Sequence, residues 1–274
     1  MEGRPTTVRR RRLSDAETER LMLDTAVEEV LTRGLPVGLD RLGFEEIIRR
    51  AGVSRTAVYR KWRTREDFYA RLLLELAGHD QHGVRAFSAE RLPQFLAFLA
   101  TDPDWRRTPE GRRATFVELC RRGVEANLDH RAGSAGVGLL VALVALLQST
   151  ERLHDEILAA LTVAEDDFRR TMGGLYATLG RAAGVRPRYG ADWATVASLG
   201  SALVVGGTVQ GVGNALLRSE SRPGDPFGTG RTADWTTLSL GYTALLLSLT
   251  EPDPDFDPDA TPASLAAPRP NAVE

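Results

Sequence analysis

The sequence predicts an all-α protein: an N-terminal three-helix helix-turn-helix domain followed by a larger helical domain. Three observations carry this. Apolar residues recur at three- and four-residue spacing through most of the 274 residues. Capping residues and Gly or Pro stops bracket those runs. No run alternates apolar and polar residues between hairpin turns, as strands would.

Residues 1–13 read as a disordered basic arm containing Arg9-Arg10-Arg11-Arg12. Ser14-Asp15-Ala16-Glu17 has the form of a capping box, in which the Ser14 side chain and the Glu17 carboxylate satisfy each other's backbone amides. The helix it starts ends near Arg33-Gly34, and Leu35-Pro36-Val37-Gly38 is a linker. Gly43 precedes a short helix from Phe44 to Arg50. Ala51-Gly52-Val53 is a tight turn in which Gly52 supplies a positive φ. Ser54 caps a second short helix, Arg55 to about Lys61, anchored inward by Val58 and Trp62. Thr64, with Asp67 three positions on, caps the next helix, which runs to Gly78 and completes a domain over 14–78.

Behind it, residues 79–250 read as helices over Leu92–Ala100, Glu110–Leu128, Gly138–Leu153, Asp155–Ala183, Asp192–Arg218 and Thr232–Thr250. Residues 251–274 hold six prolines and six acids and read as a disordered acidic tail. The stretch between Asp192 and Arg218 carries no charge and is long enough to span a bilayer, but its many polar and glycine residues argue against membrane insertion.

Charge narrows the function classes. Residues 1–75 hold 16 basic and 13 acidic side chains, whereas the net charge of the whole is −2. From Arg49 to Arg65 there are seven basic residues and no acid. A basic stripe on a mildly acidic chain points to a local polyanion contact. The single cysteine, Cys120, excludes a disulfide framework and a cysteine-based zinc finger. No apolar stretch of signal-peptide type follows the Arg-rich start, so a cytoplasmic location is expected. His79 and His82 lie three apart with no further ligand nearby, His154-Asp155 has no nucleophile context, and there is no P-loop. No metal, cofactor or enzymatic activity is therefore expected.

Residues Ile47, Ala51-Gly52-Val53-Ser54, Val58-Tyr59, Trp62, Arg65-Glu66 and Phe68 fall at the spacing of one family. Over residues 18–76 the chain resembles the tetracycline-repressor (TetR) family of bacterial transcription regulators. It departs from that pattern at Gly43, Ile48 and Thr56, and by four extra residues before Gly38. The resemblance implies a homodimer, double-stranded operator DNA as partner, and a small-molecule effector that relieves repression.

In such a motif the start of the second helix faces base edges in the major groove. Ser54, Arg55, Thr56 and Ala57 stand there. Arg55 is suited either to guanine or to a phosphate, while Thr56 and Ala57 suit a thymine methyl. Tyr59, Arg60 and Lys61 lie further along, where phosphate contacts position the helix. Arg10 and Arg11 of the arm follow the backbone, enter the minor groove, or stay idle. For the effector, Phe116, Leu143, Leu147, Phe168, Met172 and Tyr176 are candidate apolar walls, with Cys120, Asn127 and Gln148 as polar orienters. The small residues Gly200, Gly207, Gly211 and Ala215 share one helical face; with Leu238, Leu245 and Leu249 they are expected to pack against a second copy through 192–218 and 232–250. The alternatives are a ligand-independent regulator or activator, or a small-molecule carrier or membrane-associated protein that retains a regulator fold.

Overall fold

The computed structural model describes residues 13–35, 42–78, 84–132, 136–147, 154–217 and 221–266. The Arg9–Arg12 arm, His79, His82 and Gln148 lie outside the described residues. The chain divides into two compact units, residues 1–79 with 138–160, and residues 80–137 with 161–274. The segment 138–160 was expected in the C-terminal domain and falls instead with the N-terminal unit.

In the first unit, α1 (Asp15–Arg33) begins at the expected capping box: Ser14 Oγ accepts from Glu17 N–H at 3.1 Å, and Glu17 accepts from Ser14 N–H at 2.8 Å. Met22, Leu23, Ala26 and Val30 form its buried face. The helices α2 (Phe44–Ala51), α3 (Arg55–Lys61) and α4 (Arg65–Ala77) follow. Gly52 adopts the left-handed conformation (φ 67°) that closes the turn between α2 and α3, where a Cβ would be strained. Phe68, Val58, Leu72 and Leu76 are fully buried. Phe68 meets the rings of Trp62 at 5.0 Å and Phe44 at 5.2 Å, and this aromatic cluster fixes α3 against its neighbours. Two further helices contribute here, α7 (Gly136–Leu147) and the first residues of α8 (His154–Ala183), with Leu139, Leu143 and Ile157 buried.

The second unit is built from α5 (Val84–Ala100), α6 (Pro109–Ala132), the rest of α8, α9 (Trp193–Gly211), α10 (Thr237–Leu249) and the short α11 (Pro262–Ala266). α9 starts where Asp192 caps it, its carboxylate accepting from Thr195 N–H at 2.7 Å. It stops at Gly211, earlier than expected, where Gly211 and Gly213 lower helix propensity. Two small antiparallel ribbons also stand where no strand was expected. β1 (Val185–Pro187) pairs with β4 (Thr250–Pro252), and β2 (Arg222–Gly224) with β3 (Ala233–Trp235). The second ribbon delays the start of α10, because the Asp225 carboxylate gathers the amides of Thr229 and Gly230 into a closed loop.

One expectation is narrowed in this unit and one fails. The small-residue face of α9 was assigned to a second copy. Its Gly200 and Gly207 instead face α10 of the same chain: a Cβ on Gly200 would stand 2.9 Å from the Tyr242 ring, and one on Gly207 would stand 2.2 Å from Leu238. Leu238 is buried in this contact, and Leu249 packs on the core. The helix is long and apolar enough to cross a membrane, yet it buries a third of that stretch within its own chain. The segment after 250, read as a disordered tail, is folded as far as 266. Arg186 donates to Glu251 at 2.9 Å across the first ribbon. Phe256 lies flat on Gly184 (φ 72°), stacks on Trp105 at 6.2 Å, and lies under the Arg112 guanidinium at 5.6 Å. Phe256 is the one aromatic residue among the prolines and acids of this segment, and it supplies the apolar contact that docks the segment.

Candidate nucleic-acid interface and effector cavity

α3 is the second helix of the helix-turn-helix. Ser54 caps it, its hydroxyl accepting from Ala57 N–H at 3.2 Å. Val53, Val58 and Trp62 point inward and are buried. With that face fixed, the 3.6-residue period leaves Arg55, Thr56, Tyr59 and Arg60 exposed and Ala57 half-buried. Of the residues singled out in the sequence, Arg55, Thr56, Tyr59 and Arg60 thus share one outward surface, while Arg10 and Arg11 lie outside the described residues. Tyr59 is 46% exposed, with its ring edge on Phe44 at 6.0 Å.

Each named cation of α3 already has a carboxylate. Arg55 Nη2 lies 2.8 Å from Glu45 Oε2, and the Tyr59 hydroxyl donates to Glu45 Oε1 at 3.3 Å. Arg60 is held by Asp15, and Lys61 Nζ lies 2.6 Å from Glu19. Arg60 and Lys61 are expected to hold phosphates; without DNA, α1 supplies their counter-charges. Glu19 also meets Arg71, and the Lys61 hydrogen bond outweighs the cost of burial to keep its carboxyl below the ordinary range. Arg49 and Arg50 are paired with Glu46 and with Glu28 and Glu29. Of the seven-residue stripe, only Arg63 and Arg65 stand without an acidic partner among the described residues. Glu45 was not foreseen: an acid in the first turn of α2 is ordinary helix-dipole chemistry, and nothing local in the sequence singles it out.

The second unit holds a partly open cavity between α5, α6, α8, α9 and α10. Room for the centres of water molecules amounts to about 80 Å³. Of the expected residues, Phe116, Cys120, Asn127, Phe168, Met172 and Tyr176 line it. Leu143 and Leu147 do not, because α7 belongs to the other unit; Leu147 instead turns its carbonyl to His154 Nδ1 at 3.1 Å. Phe87, Phe95, Trp193 and Tyr242 also line it and were not foreseen. A lone tyrosine in the apolar run of α10 was the available signal for Tyr242. Its hydroxyl meets that of Tyr176. Burial and the neighbouring Tyr176 hold the Tyr242 phenol well above its usual range, and burial likewise raises the Cys120 thiol, so both stay neutral.

Comparison with known proteins bears on the first unit. The family described as bacterial regulatory proteins, tetR family, matches residues 23–72, from within α1 to within α4. Among solved structures the chain is similar to that of E. coli NemR in its reduced form, at 16% identity and a TM-score of 0.42, over 86% of this chain and 99% of that one. A likeness this loose carries no argument about the site. No curated protein matches.

Proposed function

The chain belongs to the tetR family of bacterial regulatory proteins through the DNA-binding domain at its N-terminal end, and we propose that this regulator is a homodimeric repressor released from a palindromic operator by a small molecule. The observation that carries the reading is the outward face of α3, where Arg55, Thr56 and Tyr59 stand exposed on a helix locked from behind by Val58 and Trp62. That face presents donors and a methyl group to base edges, and a hydroxyl and cations to phosphates. A cytoplasmic location accords with it.

Two copies are needed to read a palindrome. Since Gly200 and Gly207 are used within the chain, the dimer contact is assigned to the other side of α9 and to α10, where Leu199 and Val209 are exposed and Leu245 is half-buried. The effector is assigned to the cavity of the second unit, whose lining includes Phe116, Cys120, Asn127, Phe168, Met172 and Tyr176.

The test is selection of bound duplexes from a random pool, followed by footprinting. A two-fold symmetric site is expected, protected less as salt rises because phosphate contacts release counterions. Selection of an asymmetric site, or affinity indifferent to salt, overturns the reading.

A further inference from the structure

The wall of the cavity has a property beyond its shape: none of its 21 lining residues is Asp, Glu, Lys, Arg or His. Seven are aromatic, and the polar side-chain groups are the thiol of Cys120, the amide of Asn127, the hydroxyl of Ser201, the indole N–H of Trp193 and the facing hydroxyls of Tyr176 and Tyr242. A buried ion without a counter-charge is strongly disfavoured, so such a wall rejects carboxylates and ammonium groups alike. A phenol hydroxyl both donates and accepts, so the tyrosine pair suits a single oxygen substituent.

Glycines shape this wall. A Cβ on Gly180 would stand 2.1 Å from the Trp193 indole, and one on Gly200 would stand 2.9 Å from the Tyr242 ring. The two aromatic side chains are therefore seated against bare backbone, which leaves the space in front of them open. On this measure a water needs roughly 10–15 Å³, so the free space matches about five to eight waters. That is the size of one substituted ring.

We infer that the cavity selects an uncharged single-ring compound carrying one hydroxyl or carbonyl, with its ring among the aromatic side chains and its oxygen at the Tyr176–Tyr242 pair. The inference rests on the reading of this cavity as the effector site. Binding is therefore measured without DNA, so that failure to bind and failure to release a duplex are separate results.

Four probes of one shape test it on the full chain: toluene, 4-methylphenol, 4-methylbenzoate and 4-methylbenzylammonium. Thermal shift and saturation-transfer NMR are read at equal concentrations. The phenol is expected to bind about 2- to 12-fold more tightly than toluene, the equivalent of one net hydrogen bond, and the two ions to give no shift. Tyr176→Phe and Tyr242→Phe together are expected to erase the advantage of the phenol and leave toluene binding in place. Gly123 lines the cavity, and a Cβ there meets nothing within 4 Å. Gly123→Leu is thus expected to keep the fold, judged by its own melting temperature, and to abolish binding of both neutral probes. The inference is overturned if either ion binds as well as the phenol, if neither neutral probe binds, if the phenol keeps its advantage without the hydroxyls, or if a folded Gly123→Leu variant binds unchanged. Should Gly123→Leu fail to fold, the tyrosine variants decide the matter.

Discussion

Glu45 and Arg55 face each other across the helix-turn-helix, Oε2 to Nη2 at 2.8 Å, and the other oxygen of the same carboxylate accepts from Tyr59 at 3.3 Å. One acid on α2 therefore restrains two residues of the proposed reading face. The Arg55 side chain is 73% exposed, so the pair adds little to stability. Its effect lies in orientation, since a long side chain held in one place loses less freedom when it meets a base.

Glu45→Ala is expected to raise affinity for random DNA and to lower discrimination. The removed carboxylate repels phosphate, and the freed Arg55 reaches whichever phosphate is near. An exposed pair of this kind is worth roughly 0.2–1 kcal/mol, so each change should be a factor of about 1.5 to 5. Fluorescence anisotropy with cognate and random duplexes at one salt concentration measures both. An unchanged ratio of the two affinities would show that Glu45 positions nothing.

Arg55→Ala and Tyr59→Phe should separate base reading from anchoring. Loss of a guanine contact costs roughly 1–3 kcal/mol at the cognate site and relaxes preference at one base pair per half-site. Removal of the Tyr59 hydroxyl weakens all duplexes alike. If Arg55→Ala also weakens every duplex equally, Arg55 is a phosphate anchor, and readout passes to Thr56 and Ala57.

Phe256→Ala is expected to destabilise the second unit by roughly 2 kcal/mol, short of the ~3–5 kcal/mol of a fully buried phenylalanine because Phe256 is only half-buried. Truncation after Thr250 should cost more, since it also removes Glu251 from Arg186 and Ala260 from the Arg106 guanidinium. Urea unfolding followed by tryptophan fluorescence reports this, because Trp105 is the stacking partner. A midpoint equal to that of the full chain would return the segment to the status of a tail.

The elements of the first unit were legible because each carries local signals. Ser14 with Glu17, Gly52, Ser54, and Thr64 with Asp67 act within three or four residues, and all sit where capping and turn chemistry place them. Long-range pairings were not legible. Nothing near Arg60 in sequence announces Asp15, 45 positions away, and nothing near Gly184 announces Phe256. The glycine face of α9 shows the limit well. Its spacing identified a close helix contact, but spacing is the same whether the neighbour is α10 of this chain or another copy. Six of the 21 lining residues were legible, all of them on α6 and α8. The remainder, with Trp193 and Tyr242, depends on how five helices converge.

Acid should weaken the first unit through Glu19. Its folded pKa lies below the ordinary 4.5, chiefly through the Lys61 hydrogen bond. The stability it contributes is therefore complete above the unfolded value and is lost as pH falls through the folded one. The melting-temperature gap between the wild type and Glu19→Gln is expected to be open at neutral pH and to close progressively below about pH 4.5. A gap independent of pH would mean that Lys61 and Glu19 are not coupled.

The carboxylates that α1 and α2 lend to α3 also set the currency of DNA recognition. A bare arginine that reaches a phosphate simply displaces a condensed cation into solution. Arg60 must first leave Asp15, Lys61 must leave Glu19, and Arg55 must leave Glu45, and the diffuse cation atmosphere around each abandoned carboxylate grows as they do so. Binding becomes an exchange of partners, with some ions drawn in on one side as they are shed on the other. The salt slope should accordingly understate the number of phosphates touched.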